Sequence, residues 1–233
     1  MIWSFFQRIL ALIIFIILSP ILLLITILVW VYDGKNPFYT PYRVGKNGKL
    51  FRMIKLRSMV YQADSINIVA TAVNDKRITP IGKFVRTLKL DEFFQLINVI
   101  KGDILLIGPR PQLISEYESF TENEKHIVDV SPGISDFASL FLSKMENFLA
   151  NYEDPYDAYF TRCRPIKSRL ALFYVRHRSI LVDMQLLFYN FTNFIDHKWT
   201  LKHMANMIIK LGDCGIAYKV LCGEQEMYPM PLP

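Results

Sequence analysis

Cysteine is scarce in this chain. Three residues in 233, Cys163, Cys214 and Cys222, are widely spaced and form no Cys-x-x-Cys pair. An odd, scattered set supports neither a disulfide framework nor a zinc site and indicates free thiols in a reducing compartment. The four histidines, at 126, 177, 197 and 203, show no metal-ligand spacing. Neither Gly-x-x-x-x-Gly-Lys-Ser/Thr nor Gly-x-Gly-x-x-Gly occurs, so a P-loop and a dinucleotide-binding turn both lack their phosphate cradle. No Gly-x-Ser-x-Gly is present, which argues against an acyl hydrolase. An Asp-x-Asp triplet of the kind used by inverting or retaining nucleotide-sugar transferases is absent, as is any internal repeat.

Apolar residues are abundant, at 52%, and the mean hydropathy of +0.23 is high for a soluble globule. The excess sits at the N-terminus, where Ile9 to Val31 carries no charge and only Ser19 and Thr26 as hydroxyl side chains. That run is long enough to enter a bilayer. It is too long for a signal h-region, and no small-x-small cleavage site follows, so a retained membrane segment is expected. Ser19-Pro20 interrupts it near the middle, and proline removes one helix hydrogen bond and crowds the preceding turn. A kinked spanning helix and a helix that turns back both fit. Only eight residues precede Ile9, which leaves little to place across a membrane and favours the second.

The chain is basic, with net charge +6 and a pI of about 9.1. Lys35, Arg43, Lys46, Lys49, Arg52, Lys55 and Arg57 follow the apolar run, opposed only by Asp33. Such a flank is expected on the cytoplasmic side and attracts anionic lipid headgroups. No nucleic-acid motif accompanies the charge, so nucleic acid is not an expected partner.

Asn47-Gly48 between β-prone runs, Pro37 to Arg43 and Leu50 to Arg57, predicts a hairpin. Thr79-Pro80 predicts a helix start, with a break near Lys89, continuation to about Ile100 and a stop at Gly102. A long helical pattern spans Ser168 to Phe194, followed by one more helix at Leu201 to Leu211 and a proline-rich tail. Within the long pattern, Leu181, Met184, Leu187, Phe188, Phe191 and Phe194 recur at helical spacing. We expect a core-facing stripe there, the alternative being a face that lies on lipid.

Residues 89–111 carry the chemistry. Adjacent carboxylates Asp91 and Glu92 precede an apolar run; Gly102-Asp103 and a short buried-strand pattern follow, ending in Gly108-Pro109-Arg110-Pro111. Prolines on both sides stiffen Arg110, which suits a guanidinium fork that must meet a phosphate in a set orientation. Neighbours on a helix point about 100° apart, so the two carboxylates cannot share one role on one face. One carboxylate can attack phosphorus while the other binds metal or orients it. The charge of a diphosphate would repel the attacker, which calls for a divalent cation, best met by magnesium, and for cationic side chains. Arg86, Lys101 and Arg110 are the candidates.

This stretch resembles the core of the bacterial sugar transferase family, the small monotopic phosphoglycosyl transferases. Leu90, Asp91, Glu92, Gln95, Leu96, Asn98, Val99, Lys101, Gly102, Asp103, Gly108, Pro109, Arg110 and Pro111 fit its pattern, as do Asp75, Arg77, Gly82 and Arg86 upstream. The hairpin region around Lys55 and Arg57, and the ending Ser179, Asp183 and Thr192, match as well. Phe94 and Asp136 depart from it, standing where proline and glycine are usual.

The resemblance covers roughly residues 9–197 and implies a predominantly helical α+β monotopic membrane protein. Residues 1–34 would form a re-entrant helix broken at Ser19-Pro20, and 35–197 a cytoplasmic catalytic domain with a small β-hairpin. Residues 198–233 would add a helix and tail. It implies transfer of a sugar 1-phosphate from a UDP-sugar to polyprenyl phosphate at the cytoplasmic face of the bacterial inner membrane. Asp91 would be the nucleophile, with Glu92 helping to hold magnesium or to position Asp91, and Asp91 and Glu92 together would form the metal site. Arg86, Arg110 and Lys101 would bind phosphate, and Asp103, Pro109, Pro111, Lys55 and Arg57 would support the site. Membrane lipids are expected partners and a homodimer is left open. The rival readings are a membrane-anchored adaptor without catalysis and an inactive family member.

Overall fold

A computed structural model describes residues 2–63, 75–222, 227 and 229–233. Tyr228 of the expected tail and the Cys222 side chain lie outside the described residues. The chain is mostly helical with a few short strands. Helix α1 (Ile2–Asp33) is, among the described residues, the one helix long and apolar enough to cross a membrane.

Helix α1 runs unbroken through Ser19 and Pro20, where the sequence suggests a break. Proline 20 has no N–H to offer the carbonyl four residues back, which is that of Ile16. The Ser19 hydroxyl donates to that carbonyl instead, at 2.7 Å. The pair therefore removes one ladder bond and replaces it locally.

One stripe of α1 faces the rest of the protein along its whole length. Gln7, Ala11, Leu22, Ile25 and Val29 are buried, and Ile14, Phe15 and Leu18 pack between them. Its other faces expose Leu12, Ile13, Ile16, Ile17, Leu23, Leu24, Leu28 and Val31. Polar bonds pin both ends to the same body. Near the N-terminus, Trp3 Nε1 donates to Asp183 Oδ2 at 2.6 Å, and the buried Gln7 Oε1 accepts from the Leu106 and Ile107 amides at 2.9 and 3.3 Å. At the C-terminus, Asp33 takes two bonds of 2.7 Å from the Arg57 guanidinium. Hydrogen bonds to a charged partner contribute about 1.5–3 kcal/mol each.

The expected hairpin forms in two ladders. Strands β2 (Tyr42–Val44) and β3 (Leu50–Arg52) pair antiparallel, with Arg43 opposite Phe51. Beyond them, β1 (Phe38–Tyr39) pairs with β4 (Lys55–Leu56). Asn47 and Gly48 take the left-handed conformation at the tip, with φ of 55° and 76°, as an Asn-Gly turn requires. Asn98 ties the hairpin to helix α3 (Gln95–Lys101), accepting from the Ile54 amide and donating to the Arg52 carbonyl.

Helix α2 (Pro80–Thr87) starts as expected, with Thr79 Oγ1 accepting from the Gly82 amide at 2.9 Å. Gly82 lies against the Ser58 carbonyl so closely that a Cβ would collide with it. Lys89 turns left-handed at φ 53°, a short 3₁₀ turn carries Leu90–Glu92, and α3 ends at Gly102 with φ 88°. Strand β5 (Leu105–Ile107) then pairs in parallel with β6 (Gly133–Ser135). Between these strands lie the short helices α4 (Ile114–Glu118) and α5 (Glu122–Lys125).

The largest core cluster lies C-terminal. Helices α6 (Phe137–Phe141), α7 (Met145–Leu149), α8 (Pro155–Ala158), α9 (Arg164–His177) and α10 (Ile180–Ile195) contribute Phe141, Leu170 and Leu186 among others. Helices α11 (His197–Lys210) and α12 (Cys214–Cys222) bury Met204, Ile208 and Val220 in the same cluster. The tail is bonded rather than loose: Met227 is buried, its carbonyl accepts from Arg162, and the Pro233 carbonyl accepts from Thr121. Cys163 is buried and Cys214 exposed, and both are free thiols.

Of the stripe on α10 only Leu187 packs against the core, which corrects the expectation for the rest. Leu181, Met184, Phe188, Phe191 and Phe194 are exposed, and the inward face carries Val182, Asp183, Leu186 and Tyr189. The reason is Asp183, whose two oxygens accept from Tyr174 at 2.7 Å and from Trp3. Turning the stripe inward would expose that carboxylate and break both bonds.

Candidate active site

The 3₁₀ turn at Leu90–Glu92 follows α2 and its left-handed Lys89, so the two carboxylates stand at the mouth of a turn and not mid-helix. Phe94 anchors the turn. It is buried with Leu22, Ile25 and Val29 of α1 and packs edge-on against Phe38 at 5.1 Å. The usual proline is thus replaced by a side chain that fastens the turn to α1.

The Pro-Arg-Pro loop reaches the same place from β5. Gly108 and Gly133 meet backbone to backbone where β5 passes β6, and a Cβ on either would collide with the other's chain. The Gly133 amide donates to the Pro109 carbonyl at 3.0 Å, and the Val44 amide to the Gln112 carbonyl at 3.0 Å. Pro109 and Pro111 complete a loop with little freedom. Its Arg110 Nη2 donates to Glu92 Oε1, and Lys55 Nζ of β4 stands 3.5 Å from the same oxygen. Burial pushes the Glu92 carboxyl up, but the charges of Arg110 and Lys55 outweigh it and hold the group well below the usual range. Arg110 is raised in return, chiefly by the Glu92 charge. Burial lowers Lys55 despite that charge.

Asp91 differs from its neighbour. No ion pair holds it among the described residues, and burial raises its pKa, against the charge of Lys55 and with the repulsion of Glu92. Two adjacent carboxylates are therefore driven apart: Glu92 is locked as an anion in an ion pair, and Asp91 keeps a more basic oxygen. Splitting of this kind marks a division of roles.

A cleft of ≈ 890 Å³ joins these groups, lined by Arg43, Lys55, Arg86, Asp91, Glu92 and Arg110 and continuing past Ile14, Phe93, Leu187 and Phe194. It also reaches Gln112, Glu116, Ser135, Asp136, Tyr159 and Lys167, none of them marked by sequence as site residues. Asp136, which replaces a glycine of the pattern, caps α6 by accepting from the Ser139 amide and hydroxyl at 2.8 and 2.7 Å. Burial raises its pKa.

Three residues expected at the site lie elsewhere. Lys101 is an exposed side chain 3.6 Å from Asp103. Asp103 accepts from Asn98 Nδ2 at 2.9 Å, so its partners are Asn98 and Lys101 and not the Pro-Arg-Pro loop. Arg57 is committed to Asp33, the Asn36 carbonyl and the Met59 carbonyl. It clamps the end of α1.

The Bacterial sugar transferase family profile matches residues 1–197. The chain belongs to the bacterial sugar transferase family. It is 38% identical over 114 residues to a Streptococcus agalactiae protein named galactosyl transferase CpsE, covering 44% of this chain and 25% of that one. Against the undecaprenyl-phosphate galactose phosphotransferase of Salmonella typhimurium it is 35% identical over 145 residues, 56% of this chain and 30% of the relative. A third relative, the UDP-glucose:undecaprenyl-phosphate glucose-1-phosphate transferase of Klebsiella pneumoniae, is 31% identical over 186 residues, 75% of this chain and 36% of its own. The chain thus spans well under half the length of these three.

Lys55 is the cation that most restrains Asp91. Lys55→Met should move the Asp91 titration to higher pH, because a lost positive charge favours the protonated acid. A ¹³C-detected carboxyl titration of both proteins checks this, and an unmoved or acid-shifted curve would contradict the assignment.

Proposed function

We propose that this member of the family transfers a sugar 1-phosphate from a UDP-sugar to a polyprenyl phosphate, releasing UMP. The observation that carries the reading is the contrast between Glu92, paired with Arg110 and Lys55, and Asp91, more basic beside them and without an ion pair among the described residues. An Asp91 oxygen attacks the phosphorus that bears the sugar. The bridging P–O bond breaks and UMP leaves with the electron pair, giving an aspartyl sugar phosphate. A polyprenyl phosphate oxygen then displaces Asp91 and forms the diphosphate product. Arg110, fixed in direction by its prolines and by Glu92, and Arg86 on the cleft wall meet the phosphate oxygens. The named activities of the Salmonella and Klebsiella relatives fit this chemistry.

The donor set fits a magnesium ion that arrives with the diphosphate. Asp91 and Glu92 are adjacent hard-oxygen donors, whereas no cluster of three or more His, Cys, Asp or Glu exists among the described residues to hold a metal alone. When bound, magnesium neutralises charge on the diphosphate oxygens.

The apolar part of the cleft, at Ile14, Phe93, Leu187 and Phe194, suits the first isoprene units. The attachment of α1 supports a monotopic arrangement. At about 1.5 Å per residue α1 is ~48 Å long, yet both of its ends are bonded to one body through Trp3, Gln7 and Asp33. A helix that spans the membrane leaves that body behind on one side. We place both ends of α1 and the catalytic domain at the cytoplasmic face, with α1 entering lipid by its exposed surfaces.

Purified protein with polyprenyl phosphate and magnesium should release UMP from at least one UDP-sugar, and Asp91→Asn should abolish release while the protein still folds. Near-normal release by that variant would rule out the covalent route. Single cysteines at positions 2 and 35 should both resist a membrane-impermeant thiol reagent in intact cells; an externally labelled position 2 would exclude the monotopic arrangement and leave the chemistry standing.

A further inference from the structure

Part of the cleft is a wall assembled from separate parts of the chain. Gln112 follows the Pro-Arg-Pro loop, Glu116 comes from α4, and Ser135 and Asp136 stand at the β6–α6 junction. Tyr159 opens a single turn of π-helix (Tyr159–Cys163) that leads into α9, which carries Lys167. All six line the same cleft as Asp91 and Arg110.

Lys167 holds the wall rigid. Its ammonium donates to Glu116 Oε1 at 2.8 Å, Gln112 Oε1 at 3.0 Å and the Tyr159 hydroxyl at 3.2 Å. All three ammonium donors are thereby used. Tyr159 donates in turn to Glu116 Oε1 at 2.9 Å, and Gln112 Nε2 donates to the Arg110 carbonyl. The wall is thus tied to the loop that faces phosphate.

The groups left over decide what fits. Glu116 Oε2 and Asp136 Oδ2 make no hydrogen bond among the described residues, although both residues are more than nine-tenths buried. The buried Ser135 hydroxyl also has no partner there. Two carboxylate oxygens and a hydroxyl call for a ligand that brings several donors and no negative charge. Phosphate brings no donor and is repelled. The uridine brings one N–H on its uracil and two hydroxyls on its ribose, fewer than a hexose. A hexose brings a set of hydroxyls, or hydroxyls with an acetamido N–H. Of the three acceptors, the Ser135 oxygen is itself out of reach of solvent, and a ligand that satisfies all of them gains discrimination over one that does not.

We infer that this wall, with Asp136, Ser135 and Glu116 as its acceptors and Lys167 as its brace, is the subsite that reads the hydroxyl pattern of the donor's hexose. The inference rests on the proposed donor being a UDP-sugar. It makes Asp136, at a position where the family pattern has glycine, a specificity-determining residue of this chain.

Equilibrium binding of UDP, UDP-glucose, UDP-galactose, UDP-N-acetylglucosamine and UDP-N-acetylgalactosamine to the full-length protein tests it without turnover. The wild type should bind at least one UDP-hexose about tenfold or more tightly than UDP. Asp136→Asn keeps the oxygen that caps α6 and turns the free acceptor into a donor; Ser135→Ala removes the hydroxyl. Each variant should remove most of that tenfold gap or change the order of the four sugars, with UDP affinity unchanged. An intact order and gap in both variants would overturn the subsite. Equal loss for UDP and every UDP-hexose would overturn it as well, by making the wall a nucleotide or purely structural element. A wild type that prefers none of the four to UDP would do the same. Loss of UMP release in the wild type, with the binding contrast intact, would sink the transfer reaction and leave the subsite.

Discussion

The ion pair between Glu92 and Arg110 is the constraint around which the site is arranged. It joins a turn that follows α2 to a loop that follows β5, and both must be rigid for the pair to form. Gly82 lets α2 settle on the Ser58 carbonyl, Gly108 and Gly133 let two backbones touch, and two prolines remove the freedom of the arginine. Once Glu92 is bound to Arg110 and Lys55, its negative charge is committed, and burial acts on Asp91 without a matching partner. Two carboxylates of one turn thus acquire different protonation behaviour from their surroundings alone.

The apolar helix is part of this arrangement and not an appended anchor. Its buried stripe shares a cluster with Phe94 and Val85, which flank the Leu90–Glu92 turn, and a second with Leu96 and Ile104. Gln7 completes hydrogen bonds at β5, two residues before Gly108. The same helix therefore exposes apolar faces outward and packs behind the site. On the proposed function, a turn braced against an apolar helix would be a physical route to holding the chemistry at the depth of a lipid phosphate.

Much of this was legible in residues 75–111, because the carboxylates, the capped helix, Gly102 and the Pro-Arg-Pro loop are local signals within one stretch. The Asn47-Gly48 turn was legible for the same reason, being set by residues that tolerate positive φ. Choices made between distant segments were not. Lys101 reads as a phosphate cation and Arg57 as a support of the site, yet Asp103 and Asp33 claim them. The spacing of Phe188, Phe191 and Phe194 defines a stripe but not its direction, which is settled by the bonds of Asp183 to Trp3 and Tyr174. The wall around Lys167 has no local signature, since its members come from separate elements spread over residues 112–167. Residues 198–222 read as an extension, but their apolar faces close the main core.

The central claim is that Asp91 is the covalent nucleophile while Glu92 is held by its cations. Intact and peptide-level mass spectrometry after brief incubation with a productive UDP-sugar and magnesium, without polyprenyl phosphate, tests it most directly. The account predicts one equivalent of UMP and a matching sugar-phosphate mass on the peptide containing Asp91, absent from Asp91→Asn. UMP release that waits for the lipid acceptor, with no adduct on any peptide, would contradict it.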